Sequence, residues 1–310
     1  MSNFDPVKLG SIEQFCKAAE LGNFTSAAEQ LGLTPASVSR SISRLEKRLG
    51  VQLFVRTTRN VRLTNEGQHF WQQCRLALDQ IAEAELTVSG QQKTPTGPLR
   101  ISVGSIYAHH RLFPLLPAFR TLYPHIQLEI SVSNKVVDFI AEGCDLAIRV
   151  GVLPDSQLIA QKIENAALGI FASPEYLSKN GVPKSLEDLQ SHDCIQFILP
   201  TTGRPMPWIL KDLNGQDIEV VNDSHLRVYE DANACVSWSL AGGGLVQTYH
   251  FLAQDEVKKG RLMEVLEQYS GRSRQFSIIY PANRYLSSKV RAFSNFIKSA
   301  VQQDYGRIDI

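Results

Sequence analysis

Through the first ninety positions apolar residues recur at spacings of three and four, and the recurrence breaks where glycine, asparagine or proline intervenes. Ile12, Phe15, Cys16, Ala19 and Leu21 make the inner stripe of a helix from about Leu9 to Leu21, and Phe24, just past Gly22-Asn23, is expected to fill the same small core. An alanine-rich second helix (Ser26, Ala27, Ala28, Leu31) breaks at Gly32-Leu33. Thr34 then offers a hydroxyl N-cap, and Pro35 stands where a first helical residue tolerates proline. The third helix puts Val38, Ile42, Leu45 and Leu49 on one face and Ser37, Ser39, Arg40, Ser43, Arg44, Lys47 and Arg48 on the other, ending at Gly50. Two alternating stretches, 51–56 and 60–63, predict a hairpin around Thr57-Thr58-Arg59. Thr64 caps a long helix to about Ser89 with a stripe of Phe70, Cys74, Ala77, Leu78, Ile81, Ala84 and Val88. Its length favours burial against the same helix of a second subunit over packing back on its own domain.

Residues 90–98, GQQKTPTGP, predict a hinge. The pattern then changes to strands and helices in turn: strand 99–103, a helix through Leu112, Leu115, Leu116, Phe119 and Leu122, strand 126–132, helix 135–141 and strand 146–150. Such an order implies a parallel sheet with covering helices. A second block runs through strands 167–172, 194–198, 207–211 and 218–221, a helix near 230–240 and strand 245–247; strand 275–280 and helix 287–301, with Val290, Phe293, Phe296 and Ile297 inward, close the chain. Two α/β lobes are expected, about 99–162 with 270–310 and about 163–269, with crossings near 160–165 and 268–274 and a ligand cleft between them.

Two short helices, a glycine turn and a basic, hydroxylated front describe a helix-turn-helix that reads DNA. A net charge of +1 over 310 residues argues weakly against nucleic acid, but the distribution reverses this. From Ser37 to Arg62 seven cations (Arg40, Arg44, Lys47, Arg48, Arg56, Arg59, Arg62) face only Glu46, giving +7 − 1 = +6. Arg40 suits bidentate reading of guanine, Pro35 and Ala36 a thymine methyl, Ser37 and Ser39 a base or phosphate, Arg59 a minor groove, and Arg56 and Arg62 phosphates. The first fifteen residues show no export signal and no run is long enough to span a membrane, so a cytoplasmic location is expected. Five scattered cysteines without a CxxC pair suit a reducing compartment and exclude the usual zinc frameworks.

Over its whole length the chain resembles the LysR-type transcriptional regulators. The resemblance rests on Phe24-Thr25-Ser26-Ala27-Ala28-Glu29-Gln30-Leu31, Thr34-Pro35-Ala36-Ser37-Val38-Ser39-Arg40, Leu45-Glu46-Lys47-Arg48-Leu49-Gly50, Leu53-Phe54-Val55-Arg56-Thr57 and Leu63-Thr64-Asn65-Glu66-Gly67. Residues 142–149, Val221-Asn222-Asp223 and residues 286–293 extend it. It implies a multidomain chain: a mostly α winged helix-turn-helix over 1–64, a dimerising linker helix over 65–89, the hinge, and a two-lobed α/β periplasmic-binding-protein-like effector domain over 99–310. It further implies a homo-oligomer, usually a dimer of dimers, no cofactor, and double-stranded promoter or operator DNA as partner. By position the DNA-contacting set is Ser26, Thr34, Pro35, Ala36, Ser37, Ser39, Arg40, Arg44, Arg56 and Arg59.

The same resemblance places a small effector at Ser105, Ser133, Asn134, Arg149, Phe197 and Asn222. Ser105 precedes a helix, so its hydroxyl and nearby N–H groups suit a carboxylate, and an anionic or aromatic acid is expected. Arg149 offers a fork-shaped cation, or equally an ion pair with Asp145; Asn222-Asp223 reads more readily as a turn-capping pair. Gly242-Gly243-Gly244 lies between helix and strand and lacks a nucleotide-binding spacing, so it reads as a helix end and tight turn. Past it Gln247-Thr248-Tyr249-His250 departs from the family's proline-containing turn. His109-His110 has no third metal ligand placed by sequence, and no metal is expected. Cys144, Cys194 and Cys235 have acidic flanks that disfavour a thiolate, against the disulfide chemistry of one branch of the family. A solute-binding protein would suit the lobes alone, but not the basic N-terminal module. No Ser-His-Asp spacing, metal cluster or nucleotide loop supports an enzyme.

Overall fold

The computed structural model describes residues 6–56, 61–88, 94–137, 139, 142–151, 158–200, 202–222, 224–281 and 287–304. The chain divides into two compact units, Met1–Lys93 with Ile140–Gly143, and Thr94–Phe139 with Cys144–Ile310.

In the first unit α1 (Pro6–Leu21), α2 (Phe24–Gln30) and α3 (Pro35–Leu49) precede a hairpin of β1 (Phe54–Arg56) and β2 (Val61–Leu63), and α4 (Asn65–Val88) follows. Each boundary has a local cause. Asn23 Oδ1 accepts from the amides of Thr25 and Ser26, Thr34 Oγ1 from Ser37, and Thr64 Oγ1 from Gly67. Gly50 ends α3 at φ +72°, a left-handed conformation natural to glycine. Glu46, the lone acid of the basic window, turns inward: its Oε1 accepts from the amides of Leu53 and Phe54 and fixes where the hairpin starts. The core gathers Phe15, Cys16, Ala18, Ala27, Ala28, Val38, Ile42, Leu45, Leu53, Phe54 and Cys74, with Phe24 packed edge-on against Phe54.

Three expectations change here. Leu21 and Leu49 are 37% and 38% exposed rather than inward, and Ala18 and Ser41 fill the buried positions instead. Of the α4 stripe, Phe70, Cys74 and Leu78 pack on the unit's own core, so this half is covered without a second subunit. The side chains of Ala84 and Val88, and residues 57–60 and 89–93 of the hairpin tip and hinge, lie outside the described part.

The second unit carries β3 (Gly97–Val103), α5 (Ser105–Tyr107), a π-helical turn Ala108–Leu112, α6 (Phe113–Leu122), β4 (Ile126–Val132), β5 (Leu146–Val150), β6 (Leu158–Ala172), α7 (Pro174–Asn180), β7 (Gln196–Ile198), β8 (Trp208–Lys211), β9 (Asp217–Val220), β10 (Arg227–Tyr229), α8 (Ala232–Leu240), β11 (Val246–Tyr249), α9 (His250–Lys258), β12 (Met263–Val265), β13 (Ser273–Pro281) and α10 (Ser288–Asp304). One sheet runs in the order β11-β6-β13-β5-β3-β4, with β12 also on β6. β3 pairs parallel with β4 and β5, whereas β13 pairs antiparallel with β5 and β6, so the sheet is mixed rather than all parallel. The crossings expected near 160–165 and 268–274 are β6 and β13, hydrogen-bonded to each other from Leu158↔Pro281 to Ala167↔Ser273.

The helix expected over 135–141 does not appear among the described residues of that span: Lys135, Val136, Val137 and Phe139 are non-helical, and the Lys135 amide donates to Ser133 Oγ at 3.2 Å. Paired valines 136–137 resist the helix that the apolar spacing suggested. Leu122, expected inward, is 61% exposed. The glycine triplet is the predicted turn: Gly242 and Gly244 have φ of +84° and +138°, and a Cβ on Gly243 would strike the Trp238 indole.

Candidate nucleic-acid interface and ligand cavity

On α3 the buried residues are Val38, Ser41, Ile42 and Leu45. At helical periodicity this leaves Pro35, Ala36, Arg40, Ser43, Arg44 and Lys47 exposed on the opposite side, with Ser37 and Ser39 half-buried at its edges. The Thr34 hydroxyl is already an acceptor, capping α3 at the Ser37 amide. Ser26 is half-buried in the first turn of α2. The face therefore offers an apolar N-terminal end (Pro35, Ala36) followed by cations, the order a recognition helix needs where its first turns meet base edges. Arg62 is exposed on β2, whereas the side chain of Arg56 and the whole of Arg59 lie outside the described part.

In the second unit a cavity of about 340 Å³ is lined by Ser105, His109, Val132, Ser133, Asn134, Lys135, Pro200, Glu230, Asp231 and Asn233. It sits where the ends of β3 and β4 meet the start of α8, the carboxyl-end position usual for ligands of such sheets. Of the predicted effector residues it brings together Ser105, Ser133 and Asn134. It does not include Arg149, Phe197 or Asn222.

The three that converge are already bonded. Asn134 Oδ1 accepts from the Ser105 amide at 3.0 Å, and its Nδ2 donates to Ser105 Oγ at 3.0 Å and to the Glu230 carbonyl at 2.5 Å. Ser105 Oγ donates to Asp231 Oδ1 at 3.2 Å, and the same oxygen accepts from the Asn233 amide to cap α8. The Ser105 amide is thus committed to Asn134 and is not the free carboxylate donor expected from its place before a helix. Arg149 holds backbone and strand: its guanidinium donates to the Ile148 carbonyl at 2.9 Å, Ser102 Oγ at 2.7 Å and the Lys135 carbonyl at 3.3 Å. Asp145, its suggested ion-pair partner, accepts from the Arg100 amide at 2.9 Å and lies 3.7 Å from Lys289 Nζ. Phe197 packs at the margin of the main core. The Asn222 Nδ2 is buried without a hydrogen-bond partner among the described residues.

His109, Lys135, Glu230, Asp231 and Asn233 line the cavity without having been predicted as ligand contacts. Glu230 carried one visible signal, an acid just before a helix start; its φ of +64° is uncommon for a residue with a side chain and was not readable. Among the cysteines, burial first and Asp193 second push the Cys194 thiol up to about 12, and burial first and Asp231 second do the same for Cys235. Among the described residues no group of three or more His, Cys, Asp or Glu side chains is placed to hold a metal ion, and no helix is long and apolar enough to cross a membrane.

Comparison with known proteins gives this geometry its class. Residues 9–68 match the family model described as the bacterial regulatory helix-turn-helix protein, lysR family, and residues 92–302 match the LysR substrate binding domain. An HTH-type transcriptional repressor of Pseudomonas aeruginosa is 35% identical over 290 residues, covering 94% of this chain and 91% of the relative. The regulator CrgA of Neisseria meningitidis is 33% identical over 284 residues, covering 91% and 93%. The solved structure of CrgA, a LysR-type transcriptional regulator, aligns with a TM-score of 0.59 at 31% identity over 94% of this chain and 98% of that one. The chain belongs to the LysR family of DNA-binding transcriptional regulators and is not an enzyme.

Proposed function

We propose that this regulator docks α3 in the major groove of promoter or operator DNA in the cytoplasm, and that a small molecule in the 340 Å³ cavity sets how its subunits are spaced on paired half-sites. The observation that carries the DNA reading is the exposed Pro35-Ala36-Arg40-Arg44 front opposite the buried Val38-Ile42-Leu45 face. Arg40 reads a guanine edge, Pro35 and Ala36 meet a thymine methyl, and Arg44 and Arg56 neutralise phosphates, with Arg59 at the hairpin tip entering the minor groove. The assembly is a homo-oligomer, a dimer of dimers, joined through the distal part of α4 beyond Leu78.

The effector is a small acid that also carries an amine or hydroxyl donor. Among the described residues that line the cavity Lys135 is the one lysine or arginine, and it takes the acid group, while Glu230 and Asp231, also in the lining, accept from the donor. A simple anion is disfavoured by those two carboxylates. Arg149 supports the cavity from behind its lining, through the Lys135 carbonyl to which it donates. Footprinting of upstream intergenic DNA with and without a metabolite panel tests the whole reading. Protection of paired half-sites whose spacing changes with one hydroxy or amino acid is expected; salt-independent binding, or none, sinks it. A melting shift from neutral sugars alone removes the effector class while leaving the DNA reading in place.

A further inference from the structure

The helical run that begins at Ser105 widens into the π-helical turn Ala108–Leu112, and that turn faces two ways. His109 lines the cavity, whereas Arg111, two residues on, is buried at 5% exposure. A cation there needs a compensating charge. Glu164 of β6 supplies it: Arg111 Nε lies 3.4 Å from Glu164 Oε1, the two side chains being 7% and 11% exposed. The guanidinium also lies over the Phe251 ring of α9, with Cζ 4.3 Å from the centroid. Phe251 stacks on Tyr249 at 5.2 Å, Tyr249 packs on Phe276 at 5.2 Å, and Tyr107 covers Phe276 at 4.7 Å. Glu164 and Phe276 are partners between β6 and β13, and the next pair is Ser277↔Lys162, which leaves Ile163 as the extra residue of a bulge. One side chain therefore joins three elements: its own turn, β6 at the bulge, and α9.

We propose that Arg111 is a positioning residue, a brace through which the Ser105–Asp231 contact at the cavity mouth sets how the two halves of the second unit stand at the bulge. A buried ion pair adds little net stability, because desolvation offsets its attraction, but its charges tolerate few arrangements. An apolar contact here would let the bulge settle in several ways; the Arg111–Glu164 pair selects one. The other end of the brace is Ser105, whose hydroxyl donates to Asp231 Oδ1 at 3.2 Å. Ser105 and Arg111 share one helical run, joined where the Ala108 amide donates to the Gly104 carbonyl at 2.9 Å, so a shift at the mouth moves both. π-Helical turns inside helices are frequent at functional sites. This role rests on the cavity being the effector site, since a ligand there is what makes or breaks the contact at its mouth.

The test is amide hydrogen exchange of the full-length protein, read by mass spectrometry on peptides covering β6 and β13, without ligand or DNA. Ser105→Ala should speed exchange over 160–167 and 273–279 several-fold, while α1 to α3 keep parent rates. The pair Arg111→Met with Glu164→Gln removes both charges and keeps similar volumes. Exchange there is faster from the start, and adding Ser105→Ala changes it by less than about twofold. Where that pair does not fold, Phe251→Leu, which removes the ring beneath the guanidinium, takes its place with the same expectation. A merely structural role for Arg111 would let Ser105→Ala act by the same factor in every background. That result, or no response of β6 and β13 to Ser105→Ala in the parent, overturns the proposal. Neither ligand nor DNA enters the measurement, so its failure is distinct from failure of the footprint.

Discussion

Ser105 and Asp231 meet across the mouth of the cavity, the serine hydroxyl donating to Oδ1 at 3.2 Å although the residues are 126 positions apart. One follows β3 and the other starts α8, so this bond, with the Asn134 bridge beside it, closes the two halves of the second unit on each other. Ser105→Ala removes a donor from the exposed Asp231 and an acceptor from the half-buried Asn134. It should cost about 0.5–1.5 kcal/mol of unfolding free energy. Urea melts at several effector concentrations check this, and the variant's effector response should move as well, since the closed form loses a latch.

Arg40→Ala should cost about 1–3 kcal/mol of discrimination at one base position while leaving binding to scrambled duplex nearly unchanged. Arg44→Ala should weaken specific and scrambled duplexes alike and lower the salt slope by about one. Fluorescence anisotropy on both duplexes across a salt series separates the two. Parent-like behaviour from both would remove α3 from the groove.

Gly67 stands where the first turn of α4 crosses the chain entering the hairpin, and a Cβ there would collide with the Leu53 carbonyl. That carbonyl already accepts from the Thr64 amide at 3.0 Å, so neither backbone can move away cheaply. Gly67→Ala should destabilise the first unit by about 1–3 kcal/mol, with the second unit's transition unaffected in a two-domain melt.

His250 Nε2 lies 2.9 Å from Glu264 Oε1, and this contact raises the histidine pKa against the opposing effect of burial. A raised folded-state pKa means the protonated pair stabilises fully below the unfolded value of about 6.5. The contribution is lost as pH rises through the higher folded value. Stability of the parent should therefore fall over that window relative to His250→Gln, whose melting temperature should be flatter there. Parallel melting curves for the two proteins from pH 5.5 to 8.5 (a span of roughly three units around the histidine range) would refute the assignment.

Periodicity and caps made the first unit legible nearly residue by residue. Thr34, Pro35, Gly50 and Thr64 perform the roles their chemistry dictates, because caps and helix ends are settled within a few residues. The long-range relations were not legible. Nothing local says that Glu46 turns back to the hairpin, or that Arg149 is occupied by Ser102 and two carbonyls. The cavity was half read: Ser105, Ser133 and Asn134 follow strand ends, which the pattern marks. Glu230 and Asp231 arrive from a distant helix start, and only the tertiary fold sets them opposite. Helices α7 and α9 were missed because each is short and lies among turns, with little room for a periodic signal.

The ribbon of β6 and β13 carries a consequence for how a ligand's signal travels. Its ladder runs nearly unbroken through the second unit, with one register shift at Phe276/Ser277 opposite residues 162–164. A slide by one residue would turn every side chain to the wrong face. A loop hinge, by contrast, has no ladder to break. Any turning of one half against the other must therefore be stored as torsion in this two-stranded spring, and the irregular step at Phe276/Ser277 is where its coils are softest.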